Sequence, residues 1–236
     1  MSLTLKLLSS PLWVAQALWM RRCTPLLPEA AGPRHGEVGK GEPLRVLIVG
    51  DSSAAGVGVA TQDQALSGYL TRKLAQESMR RVRWHLIARS GISSAHILAL
   101  VQRTATPAAD LAVVLLGVND VIEQLPSHRA VACKAELADW LIAHCGVRHV
   151  VFSPLPPMGE FPSMRLPLRW VVETDALRHD QALMRWAATR GDVWHVPIPM
   201  SLSAEVMASD GFHAGEPVYK ICGEALAEFI ATELRI

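Results

Sequence analysis

The chain has 236 residues, of which 50% are hydrophobic and 19% are charged. This composition excludes a disordered chain and supplies apolar surface for a large core, so one sizeable domain is the simplest expectation. The formal net charge of +1 excludes a global basic field that would attract nucleic acid. The four cysteines include no Cys-x-x-Cys pair, which leaves zinc and redox motifs unsupported. We expect free thiols in a reducing compartment.

The N-terminal segment is uncharged from Leu7 to Met20, with Lys6 before it and Arg21 after it. This stretch is shorter than the roughly 20 residues that a bilayer-spanning helix needs. It also lacks the small-x-small cleavage site of a secretory signal. Two interpretations have equal weight: an amphipathic helix on a membrane surface, or a helix packed on the chain's own domain. The expected location is the cytoplasm or a membrane surface, and no pattern indicates the oligomeric state.

A linker is predicted over residues 25–43, which are rich in Pro, Gly, Glu and Ala. Beyond it, short apolar runs alternate with segments of helical period. Strands are predicted over residues 45–50, 82–88, 111–117, 149–153 and 193–198, and helices over residues 65–79, 93–103, 128–144, 171–189 and 217–234. Because strands that alternate with helices pair in parallel, the pattern predicts a three-layer α/β/α sandwich with a five-stranded parallel sheet.

Polar blocks follow four of the predicted strands, where this architecture places ligand sites. They are Gly50-Asp51-Ser52-Ser53, Ser90-Gly91, Gly117-Val118-Asn119-Asp120 and Asp210-Gly211-Phe212-His213. A serine hydroxyl becomes a good nucleophile only when a base removes its proton. His213 can be that base for Ser52, and Asp210 can hold the imidazole in the required tautomer.

Acyl transfer also requires hydrogen-bond donors for the charge that develops on the carbonyl oxygen. The candidates are the backbone N–H groups of Ser52 and Gly91 and the side-chain amide of Asn119. Glycine at position 91 leaves no side chain to hinder a close approach by substrate. Asp51 is interpreted as structural, accepting hydrogen bonds from N–H groups of its turn, and Asp120 as a turn residue or the cap of the following helix.

The order and spacing of the four blocks resemble those of the SGNH/GDSL hydrolases. The resemblance covers residues 44–236. It implies a flavodoxin-like α/β/α fold and an enzyme that hydrolyses carboxylic esters, with lipids or acyl thioesters as possible substrates. It also implies that the reaction needs no metal or organic cofactor. It implies a triad of Ser52, Asp210 and His213, and an oxyanion hole formed by Ser52, Gly91 and Asn119. The chain then divides into an N-terminal hydrophobic segment with its linker (residues 1–40) and a catalytic domain (residues 41–236). The expected partner is a small-molecule ester, not a nucleic acid.

Ser53 departs from the family pattern, in which leucine follows the nucleophile, and it is therefore a rival to Ser52. A second hypothesis is a non-catalytic flavodoxin-like module that binds phosphate or a nucleotide at the first strand–helix turn. Asp51 argues against that module, because a carboxylate beside a phosphate is repulsive. Residues 156–170 contain Met, Phe and Pro that either line an acyl pocket or pack over the core, and their pattern favours neither.

Overall fold

The computed structural model describes residues 3–234, so only the outermost residues of the predicted segments 1–40 and 41–236 lie outside it. Its strands are β1 (His35–Val38), β2 (Pro43–Gly50), β3 (Arg81–Ala88), β4 (Leu111–Leu115), β5 (His149–Phe152) and β6 (Val193–His195). Its helices are α1 (Leu3–Leu8), α2 (Ser10–Cys23), α3 (Ser52–Ala55), α4 (Leu66–Ser78), α5 (Ser94–Arg103), α6 (Val118–Ile122), α7 (Ser127–Cys145), α8 (Leu168–Ala187) and α9 (Glu216–Glu233).

The sheet has the strand order β1-β3-β2-β4-β5-β6, and β2 to β6 are parallel. The predicted α/β/α fold is confirmed, but the sheet has six strands rather than five. The additional strand β1 runs antiparallel to β3, with His35 opposite His85. It falls within the predicted linker at residues 25–43, so that prediction is wrong at residues 35–38. The division of the chain at residue 40 stays a prediction.

Two apolar clusters cover the two faces of the sheet. Ile48 and Val113 point to one face and pack with α4 and α9, whereas Leu47 and Val114 point to the other and pack with α5 and α7. Successive strand residues alternate between faces, and both faces are buried, so the central strands are continuous apolar runs. This arrangement leaves the carboxyl ends of the strands, where the polar blocks follow, as the open edge.

Helix α2 packs on the domain through one face only. Trp13, Ala17 and Met20 contact a third apolar cluster that includes residues of α8. The Gln16 amide donates to the Leu166 carbonyl at 2.7 Å and accepts from the Leu168 N–H at 3.0 Å. The packed-helix interpretation therefore describes the inner face of α2, while the membrane interpretation concerns its outer face. In residues 3–234 no helix combines the length and apolarity needed to cross a bilayer.

The four cysteines are free thiols, as the sequence predicts. Cys133 and Cys145 both lie in α7, where the helical rise of about 1.5 Å per residue keeps their backbones too far apart for a disulfide.

Candidate active site

Ser52 lies in the first turn after the central strand β2. The strand ends at Gly50, where a Cβ atom would lie 2.4 Å from the Leu115 carbonyl oxygen, so only glycine fits. Asp51 caps α3 by accepting a hydrogen bond from the Ser53 N–H at 2.9 Å, which confirms its structural interpretation. Burial raises the pKa of the Asp51 carboxyl to about 6.

Asp210 and His213 form a hydrogen-bonded pair within one tight turn. The Asp210 Oδ2 atom accepts from His213 Nδ1 at 2.6 Å, and Oδ1 accepts from the backbone N–H groups of Phe212 and His213, each at 2.9 Å. Burial alone would raise the pKa of Asp210, but these hydrogen bonds outweigh it and lower the pKa. Asp210 therefore stays ionised, and His213 keeps Nε2 as the ring atom that can accept a proton.

One cavity at the carboxyl edge of the sheet contains both Ser52 and His213 in its wall. In the described part of the chain, the Ser52 hydroxyl makes no direct hydrogen bond to the imidazole. Such catalytic hydrogen bonds often form only when substrate binds. Ser53 also borders the cavity, so the structure leaves the rival hydroxyl close to the site.

The rest of the cavity wall is mainly apolar. It includes side chains from five regions of the chain: Leu66, Leu115, Leu116, Leu155, Phe161, Met200, Leu202, Met207, Phe212, Val218, Tyr219 and Cys222. Both interpretations of residues 156–170 apply in part, because Pro156 and Phe161 line the cavity whereas Met158 and Met164 pack in the third apolar cluster. An apolar wall of this kind suits an acyl chain.

The two predicted donors outside the Ser52 turn lie on neighbouring loops. The Asn119 amide nitrogen is 3.0 Å from the Ile92 carbonyl oxygen and 3.4 Å from Asp51 Oδ2, so it contacts the residue after Gly91 and the residue before Ser52. Gly91 has a φ of +75°, and a Cβ atom there would meet no atom within 4 Å. Glycine is thus required at position 91 by its backbone conformation rather than by crowding. Neither Gly91 nor Asn119 belongs to the cavity wall.

Asp120 has a role that differs from its prediction. It caps α5, which precedes it in the chain, by accepting from the Ser94 N–H at 2.7 Å and the Ser94 hydroxyl at 2.6 Å. It also pairs with Lys134 at 2.7 Å, and the two side chains are 0% and 2% exposed. Burial alone would raise the pKa of Asp120, but the Lys134 ammonium and the Ser94 hydrogen bonds lower it.

Sequence reasoning missed Lys134, although a signal was present. Lys134 occupies the buried face of α7 together with Ala130, Leu137, Ala138 and Leu141. A lysine within an apolar face at helical spacing indicates a buried partner of opposite charge.

A sequence profile of the GDSL-like lipase/acylhydrolase family matches residues 48–221. The chain belongs to this family. The resemblance that the four blocks suggested is therefore confirmed, and family membership supports hydrolysis of carboxylic esters. A relative in the family is the GDSL-like esterase Rv1075c of Mycobacterium tuberculosis, which is 24% identical over 194 residues. That match covers 78% of this chain and only 60% of the mycobacterial protein.

Solved structures show the same fold at low sequence identity. The lipase Lip_vut3 from a goat rumen metagenome superimposes with a TM-score of 0.66 at 17% identity, covering 78% of this chain and 96% of that one. Est24, a carbohydrate acetylesterase from Sinorhizobium meliloti, superimposes with a TM-score of 0.56 at 16% identity, covering 80% and 99% of the two chains.

Proposed function

We propose that the chain is a serine ester hydrolase with Ser52 as nucleophile, His213 as base and Asp210 as the group that orients the base. The observation that carries the proposal is the 2.6 Å hydrogen bond between Asp210 and His213 beside a cavity that also contains Ser52. Membership in the GDSL-like lipase/acylhydrolase family supports the same reaction.

In this mechanism, His213 Nε2 takes the proton of Ser52 as Oγ attacks the ester carbonyl carbon. The negative charge on the carbonyl oxygen is stabilised by the N–H groups of Ser52 and Gly91 and by the Asn119 amide. The tetrahedral intermediate then collapses, and His213 gives its proton to the departing alcohol or thiol. Water, deprotonated by His213, hydrolyses the acyl-enzyme and releases the acid.

The mainly apolar cavity wall supports substrates with an apolar acyl group, such as lipid esters or acyl thioesters. The phosphate-binding alternative has less support. Helix α3 has only four residues, and the carboxylate of Asp51 occupies its N-cap, where a phosphate would have to bind.

The decisive experiment compares Ser52→Ala with its neighbour Ser53→Ala on p-nitrophenyl esters of increasing acyl length. Ser52→Ala is expected to lower kcat by roughly 10⁴-fold or more and to abolish labelling by a fluorophosphonate probe. Ser53→Ala is expected to keep both properties. The reverse pattern would assign the nucleophile to Ser53, and normal turnover in both variants would refute the proposed mechanism.

A further inference from the structure

Helix α2 has an apolar outer face that nothing in the described chain covers. Its inner face packs on the domain through Trp13 and Met20, whereas Leu12, Leu18 and Trp19 on the other side are 57%, 59% and 57% exposed. Exposed apolar residues of this size are usually isolated on a soluble protein. Three on one short helix indicate a surface that contacts something else.

The exposed apolar residues continue beyond α2. Leu12 and Trp19 lie one turn before and one turn after Gln16, whose amide makes two hydrogen bonds to the start of α8. Leu166, which is 66% exposed and accepts from the Gln16 amide, therefore lies next to α2, and Trp170, which is 47% exposed, follows it in the first turn of α8. We define the N-terminal apolar surface as the following exposed residues of α1, α2 and the start of α8: Leu7, Leu8, Leu12, Leu18, Trp19, Leu166 and Trp170.

The exposed charges on α2 and at the start of α8 are basic, whereas α8 carries exposed Glu173 one turn after Trp170 and carries Asp175, which pairs with Lys6 of α1. No Asp or Glu occurs in residues 1–28 or 161–172. Arg21 and Arg22 at the end of α2 and Arg165 before α8 are exposed. Two copies of the chain meeting through this surface would bring arginines together, whereas an anionic bilayer would neutralise them. Tryptophan side chains such as Trp19 and Trp170 favour the boundary between headgroups and acyl chains.

We propose that the N-terminal apolar surface docks on an anionic lipid bilayer. The leucines and tryptophans enter the boundary region, and Arg21 and Arg22 contact the headgroups. In this arrangement α2 lies in the plane of the interface and does not cross the bilayer.

Docking would place the cavity close to the lipid. Leu155 and Phe161 line the cavity, and both belong to the apolar cluster on which Trp13 and Met20 of α2 pack. The cluster that supports α2 therefore also contributes to the cavity wall. If the proposed ester hydrolysis is right, on which this step rests, the substrates are apolar esters dissolved in the same bilayer.

The test is flotation of the full chain with phosphatidylcholine vesicles that contain or lack phosphatidylglycerol. The full chain is expected to float with the anionic vesicles. The variant L12S/L18S/W19S is expected to bind at least about 100-fold more weakly, because its outer face no longer buries apolar area. The matched control M79S/I221S replaces two exposed apolar residues elsewhere, which are 80% and 47% exposed, and is expected to bind like the full chain.

Charge reversal provides an independent readout. Since one basic residue near an anionic surface contributes roughly fivefold in affinity, R21E/R22E is expected to bind phosphatidylglycerol vesicles at least about 25-fold more weakly. The control R103E/R148E changes two exposed arginines elsewhere and is expected to bind normally.

Binding and catalysis are separable in this design. Ser52→Ala is expected to float like the full chain, and L12S/L18S/W19S is expected to keep its turnover of a short soluble ester. The proposal is overturned if the full chain stays unbound, or if L12S/L18S/W19S floats equally well. It is also overturned if ultracentrifugation shows a dimer that this variant dissociates, because the surface would then bind a second copy.

Discussion

Replacing Lys134 with methionine tests whether the buried ion pair with Asp120 holds the fold together. Methionine keeps most of the apolar stem and removes the ammonium. Asp120, which is fully buried, then keeps only the two hydrogen bonds from Ser94. Removing one partner of a buried ion pair costs about 3–5 kcal/mol, since the remaining charge is desolvated and unpaired. For a chain of this length, about 2–4 °C per kcal/mol gives a fall in Tm of roughly 6–20 °C.

The assay is thermal and urea unfolding, with the double variant K134M/D120N as the key comparison. Asparagine keeps an oxygen for the Ser94 N–H and removes the buried charge, so the double variant is expected to regain at least half of the lost stability. Lys73→Met is the matched control, because Lys73 pairs with the exposed carboxylates of Glu77 and Glu228 at 2.8 Å and 3.1 Å, where solvent screening leaves little effect on stability. A loss below about 1 kcal/mol in Lys134→Met, or additive losses in the double variant, would refute the reasoning.

The pH dependence of this effect has a defined sign. The pKa of Asp120 is lowered in the folded chain, so its pairing stabilises the fold fully above the ordinary aspartate pKa of 3.8, and this stabilisation is lost as the pH falls through the folded pKa. In Lys134→Met the unpaired carboxyl accepts a proton more readily. The stability difference between the wild type and Lys134→Met should therefore shrink as the pH falls.

Three other substitutions give separate expectations. Burial raises the pKa of Asp51 from 3.8 to about 6, so the free energy of unfolding falls by up to about 3 kcal/mol as the pH rises through this range. In urea unfolding, Asp51→Asn should therefore be more stable than the wild type at pH 8 and should have no advantage at pH 4. Asn119→Ala should lower kcat by about 10²–10³-fold, because it removes a donor to the oxyanion. The control Glu123→Ala, at an exposed neighbouring position, should show normal kinetics. Equal kinetics in the two variants would argue against Asn119 as an oxyanion donor. Gly58→Ala should lower both Tm and activity, because its Cβ atom would lie 2.2 Å from the carbonyl oxygen of Ala214, the residue after His213. The control Gly191→Ala should change neither Tm nor activity, because its Cβ atom would meet no atom within 4 Å.

The alternation of strands and helices could be predicted because the central strands are buried on both faces. Leu111 to Leu115 is apolar throughout, and each of its five residues is buried. Strand β1 gives no such signal, because His35 to Val38 is a half-exposed edge strand without an apolar run. Its pairing depends on β3, and Gly36 is needed where a Cβ atom would lie 2.8 Å from Trp84 Nε1. Neither requirement is visible in the local sequence.

The candidate site was predictable where its residues follow strands in order. Ser52 and His213 each lie in such a block, and parallel strands bring their carboxyl ends to one edge. The apolar wall was not predictable, because Leu66, Val218 and Cys222 come from helices whose relative packing is set by the whole domain. Their apolar periodicity indicates only a buried helix face and carries no information about a cavity.

Asn119 and Asp120 are consecutive, but the side chain of Asn119 binds the loop that carries Gly91, and the side chain of Asp120 binds Ser94, the first residue of α5 after that loop. Asn119 donates to the Ile92 carbonyl at 3.0 Å, and Asp120 accepts two hydrogen bonds from Ser94. These three bonds fix the Gly91 loop against the Asn119 turn before any substrate arrives. The Gly91 N–H, which these bonds position, then needs no reorganisation when charge develops, whereas the Asn119 amide must exchange its 3.4 Å bond to Asp51 for the oxyanion. A change at Asp120 should therefore loosen both proposed donors at once, whereas Asn119→Ala removes one and leaves the Ser94 bonds in place.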